Sequence, residues 1–186
     1  MDVLEAIQSR LSIRQFSDRT VTRAEIERVL DAAVLAPNHR MTQPWRFHVL
    51  GPEARHAYGA ILGARKAKKI EDPEAARVLV EKVAASEGAV PALVMVGMTQ
   101  SENLEIREED YAATMMAVQN LLLAARSLGL GTHVKSGAVM DDPRTRELLG
   151  IADGERIIAM IQLGEAATTP DAKQRRPAAE VTNWLA

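Results

Sequence analysis

The stretch from Glu108 to Ser127 constrains this chain more than any other part of it. Read as a helix, it is apolar on nearly every side, with Tyr111, Met115, Met116, Val118, Leu121, Leu122 and Leu123 distributed around its axis. Such a helix has to be covered all round, either by the core of its own chain or by a second subunit. A length of 186 residues suits one domain, 1–186, and 47% hydrophobic with 26% charged residues is enough to build a core. The same composition excludes a disordered or collagen-like chain.

The other elements follow from periodicity and punctuation. Asp2 caps a first helix through Arg10, with Val3, Ala6 and Ile7 at helical intervals. Thr22-Arg23-Ala24-Glu25 has the form of a capping box, and Ile26, Val29, Leu30, Ala33 and Val34 make the apolar stripe of a second helix that Pro37 ends. Trp45 to Leu50 alternates as a strand does. Residues 53–86 read as a mobile helical excursion, rich in Ala, Lys, Arg and Glu, with breaks at Gly63 and Asp72-Pro73. The continuous apolar run Ala92 to Met98 predicts a buried strand, Thr132 to Lys135 a short strand, Pro143 to Leu149 a brief helix, and Ile157 to Leu163 a last strand. Helices followed by interleaved strands and helices predict an α+β fold around a mixed sheet.

Several function classes drop out. The chain contains 23 Lys and Arg against 25 Asp and Glu, a formal charge of −2, and no block of like charge that makes a nucleic-acid footprint. It has no cysteine, hence no disulfide, thiolate metal site, iron–sulfur cluster or catalytic thiol. No pair among His39, His48, His56 and His133 has the helical spacing by which two imidazoles share a zinc ion, so no protein-ligated metal is expected. An acidic start and the lack of an apolar run near the roughly 20 residues of a spanning helix predict a cytoplasmic protein without a membrane segment. Gly129-Leu130-Gly131 follows a helix and precedes a strand, which makes it a helix C-cap and not a dinucleotide loop.

Two cationic groups remain. Arg10-Leu11-Ser12-Ile13-Arg14 projects two guanidiniums and a hydroxyl from a helix end, a set suited to a phosphate, although Arg-x-x-x-Arg is common on exposed helix ends and on its own reads first as plain solvation. Lys173-Gln174-Arg175-Arg176 is far away in sequence, and the two groups form a phosphate clamp only if the fold joins them.

Arg10-x-Ser12-x-Arg14-x-Phe16, the loop Ala36-Pro37 to Gln43-Pro44-Trp45-x-Phe47, Gly129-Leu130-Gly131-Thr132, Arg146 to Ile151, Leu163-Gly164 and Arg175-Arg176-Pro177 together resemble the flavin mononucleotide (FMN)-dependent nitroreductase family over nearly the whole chain. Asn38-His39-Arg40-Met41 departs from the small residues common in that loop and is similar to the compact branch of the family, in which a histidine stands there. The resemblance implies a nitroreductase-like fold: a mostly antiparallel sheet surrounded by helices, in an intertwined homodimer with FMN at the subunit interface. It implies that Arg10, Leu11 and Ser12 hold the phosphate and ribityl chain, with either Arg175 or Arg176 as distal partner, and that Arg14 stands near the ring. His39 and Gln43 would come from the partner's loop, and Val134, Lys135 and Ser136 would meet the flavin edge or phosphate. Gln43 also reads as a residue that holds its own loop, Lys135 as an exposed strand residue, and Trp45 as core. The implied activity is NAD(P)H-dependent reduction of nitroaromatics, quinones or similar small acceptors by a ping-pong route, with no catalytic side chain because the flavin carries the hydride. Dehydrogenation or flavin fragmentation on the same scaffold, and non-catalytic binding of FMN or another phosphorylated ligand, are the alternatives.

Overall fold

The structure, a computed structural model, describes residues 1–185. Its helices are α1 (Val3–Ser9), α2 (Arg23–Ala33), α3 (Pro52–Ala67), α4 (Pro73–Gly88), α5 (Leu104–Ser127) and α6 (Pro143–Leu149). Its strands are β1 (Trp45–Leu50), β2 (Ala92–Thr99), β3 (Gly131–Lys135) and β4 (Glu155–Gly164), in the order β1-β2-β4-β3 with every neighbouring pair antiparallel. This is the expected α+β architecture, and the one parallel contact among the described residues is an isolated bridge from Ser12 to Thr132. Among the described residues no helix is long and apolar enough to cross a membrane.

The central strand shows why its sequence is apolar without alternation. Val94, Val96 and Met98 of β2 face one core, built with Trp45, Val29 and Ala33 of α2 and with Ala117 and Leu121 of α5. Leu93 and Met95 face the other, with Tyr58 of α3, Met140 and Met160. A strand covered on both faces has no side left for polar residues.

Local chemistry sets the helix ends. The Asp2 carboxylate accepts from the Glu5 N–H, and Thr22 and Glu25 form both halves of the predicted capping box. Gly129, with φ at 78°, ends α5, as Gly129 N–H donates to Arg126 C=O and Leu130 N–H to Ala125 C=O.

Three expectations need correction. The second helix stops at Ala33, short of Pro37, because Val34 to Ala36 already close a turn onto residues 30–33. The fifth begins at Leu104 and not Glu108, since the Asn103 side chain accepts from Glu105 and Ile106 N–H. Gly63 breaks nothing. It lies inside α3, where an added Cβ would stand 2.8 Å from the Val80 Cα of α4, so it marks a close helix crossing within a packed α3–α4 hairpin.

One face of α5, including Ala113, Ala117, Leu121 and Ala125, is buried in the chain's own core. Tyr111 and Met116 on the remaining surface stay 47% and 42% exposed, so a single chain leaves the helix partly uncovered.

Candidate functional site

The cleft is built on a strap. After α1 the chain runs extended from Leu11 to Phe16 across the end of the β3–β4 ladder, where Gly131 pairs with Gly164. Ile13 N–H donates to Thr132 C=O at 2.9 Å, Ala167 N–H to Gln15 C=O at 3.0 Å and Ser17 N–H to Glu165 C=O at 2.9 Å. Ile13 packs where Gly131 has no Cβ: an added one would lie 2.5 Å from Ile13 Cγ1. Phe16 does the same over Gly164, at 2.8 Å from Cδ1. Successive side chains of an extended segment point to opposite faces, so seating Ile13 inward leaves Ser12 and Arg14 facing out. Ile13 is buried and Ser12 and Arg14 are exposed. Gly131 and Gly164 thus act on the site through the strap they receive.

A cleft of about 610 Å³ opens over that outward face, within the usual range for small-molecule sites. It joins the two cationic groups the sequence keeps apart: Arg10, Leu11, Ser12 and Arg14 line it from the strap, Val134 from β3, and Lys173 and Arg175 from the C-terminal segment. Among the described residues, none of Arg10, Arg14, Lys173 and Arg175 ion-pairs with an acid, although Asp171 also lines the wall. Four cations around one space favour an anionic occupant.

A second lobe of about 400 Å³ adjoins it, sharing Arg14 and His133. Lys135 lines this lobe, and its ammonium donates to the carboxylate of buried Glu87 at 3.0 Å. Gln162 Nε2 donates to the other Glu87 oxygen at 2.7 Å. Lys135 is therefore an ion-paired, half-buried residue and not the exposed strand side chain of the alternative reading. Burial lowers the His133 pKa from its ordinary value, and the Lys135 and Arg14 cations lower it further, so its imidazole is neutral at pH 7.

The remaining predicted residues lie elsewhere on the chain. His39 donates through Nδ1 to the Glu109 carboxylate at 2.8 Å, and Arg40 lies 3.4 Å from the same carboxylate, which pins the loop to α5. The Gln43 N–H donates to Asn38 Oδ1 at 3.0 Å, while Thr42 donates to buried Asp110 at 2.5 Å. Arg40, Met41 and Gln43 all have positive φ, at 58°, 51° and 44°. Three such non-glycine residues in one short loop are strained, a feature that concentrates at functional sites. Ser136 lines a separate pocket beside Tyr111 and Asp141, and Arg176 lines no part of the cleft. Trp45 is 6% exposed in the core, as read.

Sequence reasoning missed Glu87, Gln162 and His133. Nothing local marks Glu87 as buried, because it ends a charged helix, and Gln162 is a lone amide in an apolar strand.

The sequence profile of the nitroreductase family matches residues 7–165. A candidate NAD(P)H nitroreductase of Bacillus subtilis, YfhC, is 36% identical over 173 residues, spanning 93% of this chain and 89% of that protein. Among solved structures, a nitroreductase-like family protein from Bacillus cereus superposes with a TM-score of 0.86 at 28% identity, covering 100% of this chain and 96% of that one. A candidate nitroreductase from Desulfovibrio desulfuricans, solved in complex with FMN, matches with a TM-score of 0.73 at 25% identity, covering 100% and 97%. A strap seated on paired glycines, the cationic cleft above it and a profile match over most of the length lead to one assignment: this chain belongs to the nitroreductase family.

Proposed function

We propose that this chain is an FMN-dependent oxidoreductase that uses NADH or NADPH to reduce nitroaromatic, quinone or related small-molecule acceptors by a ping-pong sequence. The observation that carries this reading is the convergence of Arg10, Arg14, Lys173 and Arg175 on one cleft without acid partners among the described residues. A phosphate monoester supplies the missing countercharge, and the Ser12 hydroxyl adds a donor. The adjoining lobe offers Arg14, Lys135 and the Gln162 amide to the polar edge of a ring. The residues present therefore fit FMN, which is the ligand of the Desulfovibrio protein. Arg10, Leu11, Ser12 and Arg175 are assigned to the phosphate and ribityl end, and Arg14, Val134 and Lys135 to the ring. Arg176 and Ser136 line neither lobe, so Arg175 is the favoured distal partner and Ser136 keeps its role only through backbone contact.

When bound, FMN would supply a two-electron carrier between the nicotinamide and the acceptor. The chain's own residues bind, orient and neutralise. Arg14 and Lys135 stabilise negative charge at the polar edge of the ring, and neutral His133 fills the wall between the lobes without adding charge. No nucleophile or obligatory acid is required of the protein.

The proposed assembly is a homodimer. Uncovered Tyr111 and Met116 on α5, Val3, Leu4 and Ile7 on α1, and Trp184 near the C-terminus support it, because apolar groups of this number are ordinarily covered by a partner. In that dimer His39 and Gln43 reach the partner's flavin. The chain is read as one flavin-binding domain over 1–186, with the α3–α4 hairpin as its variable part and the cytoplasm as its setting. Initial rates with a nitroaromatic acceptor at several NAD(P)H concentrations test the activity. Parallel double-reciprocal lines are expected, and no acceptor-dependent oxidation of either nicotinamide refutes it.

A further inference from the structure

Among the described residues Glu87 is the only acid lining the second lobe; it is 5% exposed, and the proposed chemistry does not use it. Both of its oxygens are occupied, one by the Lys135 ammonium of β3 and one by the Gln162 amide of β4. One side chain from the last turn of α4 therefore ties down a residue from each of the two strands that wall the cleft. The space it occupies is prepared by α3. A Cβ on Gly59 would lie 3.0 Å from Glu87 Cβ and 2.7 Å from Ala84 Cα, so only a glycine there lets α4 bring Glu87 in. Tyr58, next along α3, is buried close enough to feel the acid: burial first, and the Glu87 charge second, raise its phenol pKa.

An ion pair withdrawn from water stabilises a fold weakly, because desolvation offsets the Coulomb gain. What the pair does fix is where a charge stands. Lys135 keeps 32% of its side chain accessible, in the lobe it shares with Arg14.

We propose that Glu87 is a positioning residue: it holds the Lys135 ammonium beside Arg14 and balances part of its charge, and so sets the field that a bound flavin ring meets. The inference rests on the flavin reading. It also couples the α3–α4 hairpin to the cleft, since of the two hairpin residues that line the lobe, Ser86 and Glu87, only Glu87 brings a charge. The reduced flavin carries more negative charge than the oxidised one, so the balance between Glu87 and Lys135 biases which form is held more tightly.

The test is a double-mutant cycle with Glu87→Gln, Lys135→Gln and the double variant, read in two ways. Melts of the flavin-free proteins report the pair itself. Each single substitution lowers Tm, and the double variant recovers a large part of the summed loss, because a paired amide replaces an unpaired charge. Titrations with oxidised and with reduced FMN report the field. Glu87→Gln raises the preference for reduced over oxidised FMN by about tenfold, or about 30 mV for a two-electron couple. Lys135→Gln lowers that preference, and the double variant returns to within about threefold of the original. A merely structural acid lowers Tm without any charge-signed change in preference. FMN uptake by the unmodified protein, together with additive Tm losses or a preference that Glu87→Gln leaves unchanged, overturns this inference alone. A protein that takes up no FMN overturns the flavin reading and this inference with it.

Discussion

Replacing Gly131 by alanine tests how the strap is held. The new Cβ would lie 2.5 Å from Ile13 Cγ1, 2.9 Å from Ile13 Cβ and 3.1 Å from Ile13 Cγ2. Carbon contacts relax at about 3.5–4.0 Å, so the side chain has to retreat by roughly 1 Å. Ile13 cannot do so by rotation, since a β-branched side chain has few χ1 choices and this one is 5% exposed. Its N–H is bonded to Thr132 C=O, so the retreat moves the main chain and with it Ser12 and Arg14. Overpacking of this kind costs about 1–3 kcal/mol. In a chain of this length each kcal/mol moves Tm by about 2–4 °C, which gives an expected loss of roughly 2–12 °C. Melts are made on flavin-free protein, because a ligand that binds only the folded state masks the loss. FMN affinity, followed by quenching of flavin fluorescence, is expected to weaken about tenfold or more, the equivalent of ~1.4 kcal/mol. Ile13→Ala in the same chain should recover part of both losses, as the added methyl enters the space that isoleucine leaves. A Gly131→Ala protein that melts within about 1 °C of the original and binds FMN equally would refute the reasoning. So would strictly additive losses in the double variant.

Further outcomes follow from the same structure. Arg10→Ala removes a charge-assisted contact worth about 1.5–3 kcal/mol and is expected to weaken FMN binding by about 10- to 150-fold, whereas Arg176→Ala, outside the cleft, should change it less than about threefold. Equilibrium binding of FMN to both variants checks this. The Asp142 carboxyl is held at about 2, below its ordinary 3.8, chiefly by its hydrogen bond from the Arg144 side chain. A lowered carboxylate pKa adds stability that is complete above the ordinary value and is lost as pH falls from there towards 2. Asp142→Asn keeps a side-chain cap for α6 and should flatten the fall in stability between about pH 4.5 and 2, as read from urea midpoints across that range. Tyr111→Lys places a charge on the uncovered face of α5, and sedimentation should show its dimer weakened relative to the original.

The framework of the fold was legible wherever local signals agree with burial. Thr22 and Glu25 announce α2, and the apolar run from Ala92 announces a strand covered on both faces. Reading failed where a tertiary contact overrules a local rule. Gly63 looks like a helix breaker and is instead the point where α3 touches α4, and the α5 start was missed because Arg107, Glu108 and Glu109 hide the cap at Asn103. The site divides in the same way. Arg10, Ser12 and Arg14 are recognisable because they cluster in a short motif, and the fold joins them to Arg175. Glu87 lies 75 positions from Gln162 and 46 from His133, which are 29 apart; the three belong to different elements and meet only once β3, β4 and α4 are packed. His39 and Gln43 stand on a loop pinned to α5, outside the cleft lining of their own chain, which suits a role across a subunit boundary.

In the proposed function, the cleft over Arg10, Ser12 and Arg14 holds a flavin that the protein can reduce. The most direct measurement is a visible absorbance spectrum of the purified protein supplemented with FMN and freed of excess, followed anaerobically by NADH and then NADPH. A retained flavin band that bleaches on addition of a nicotinamide is the expected result. A colourless protein, or a retained band that neither nicotinamide bleaches, would contradict it.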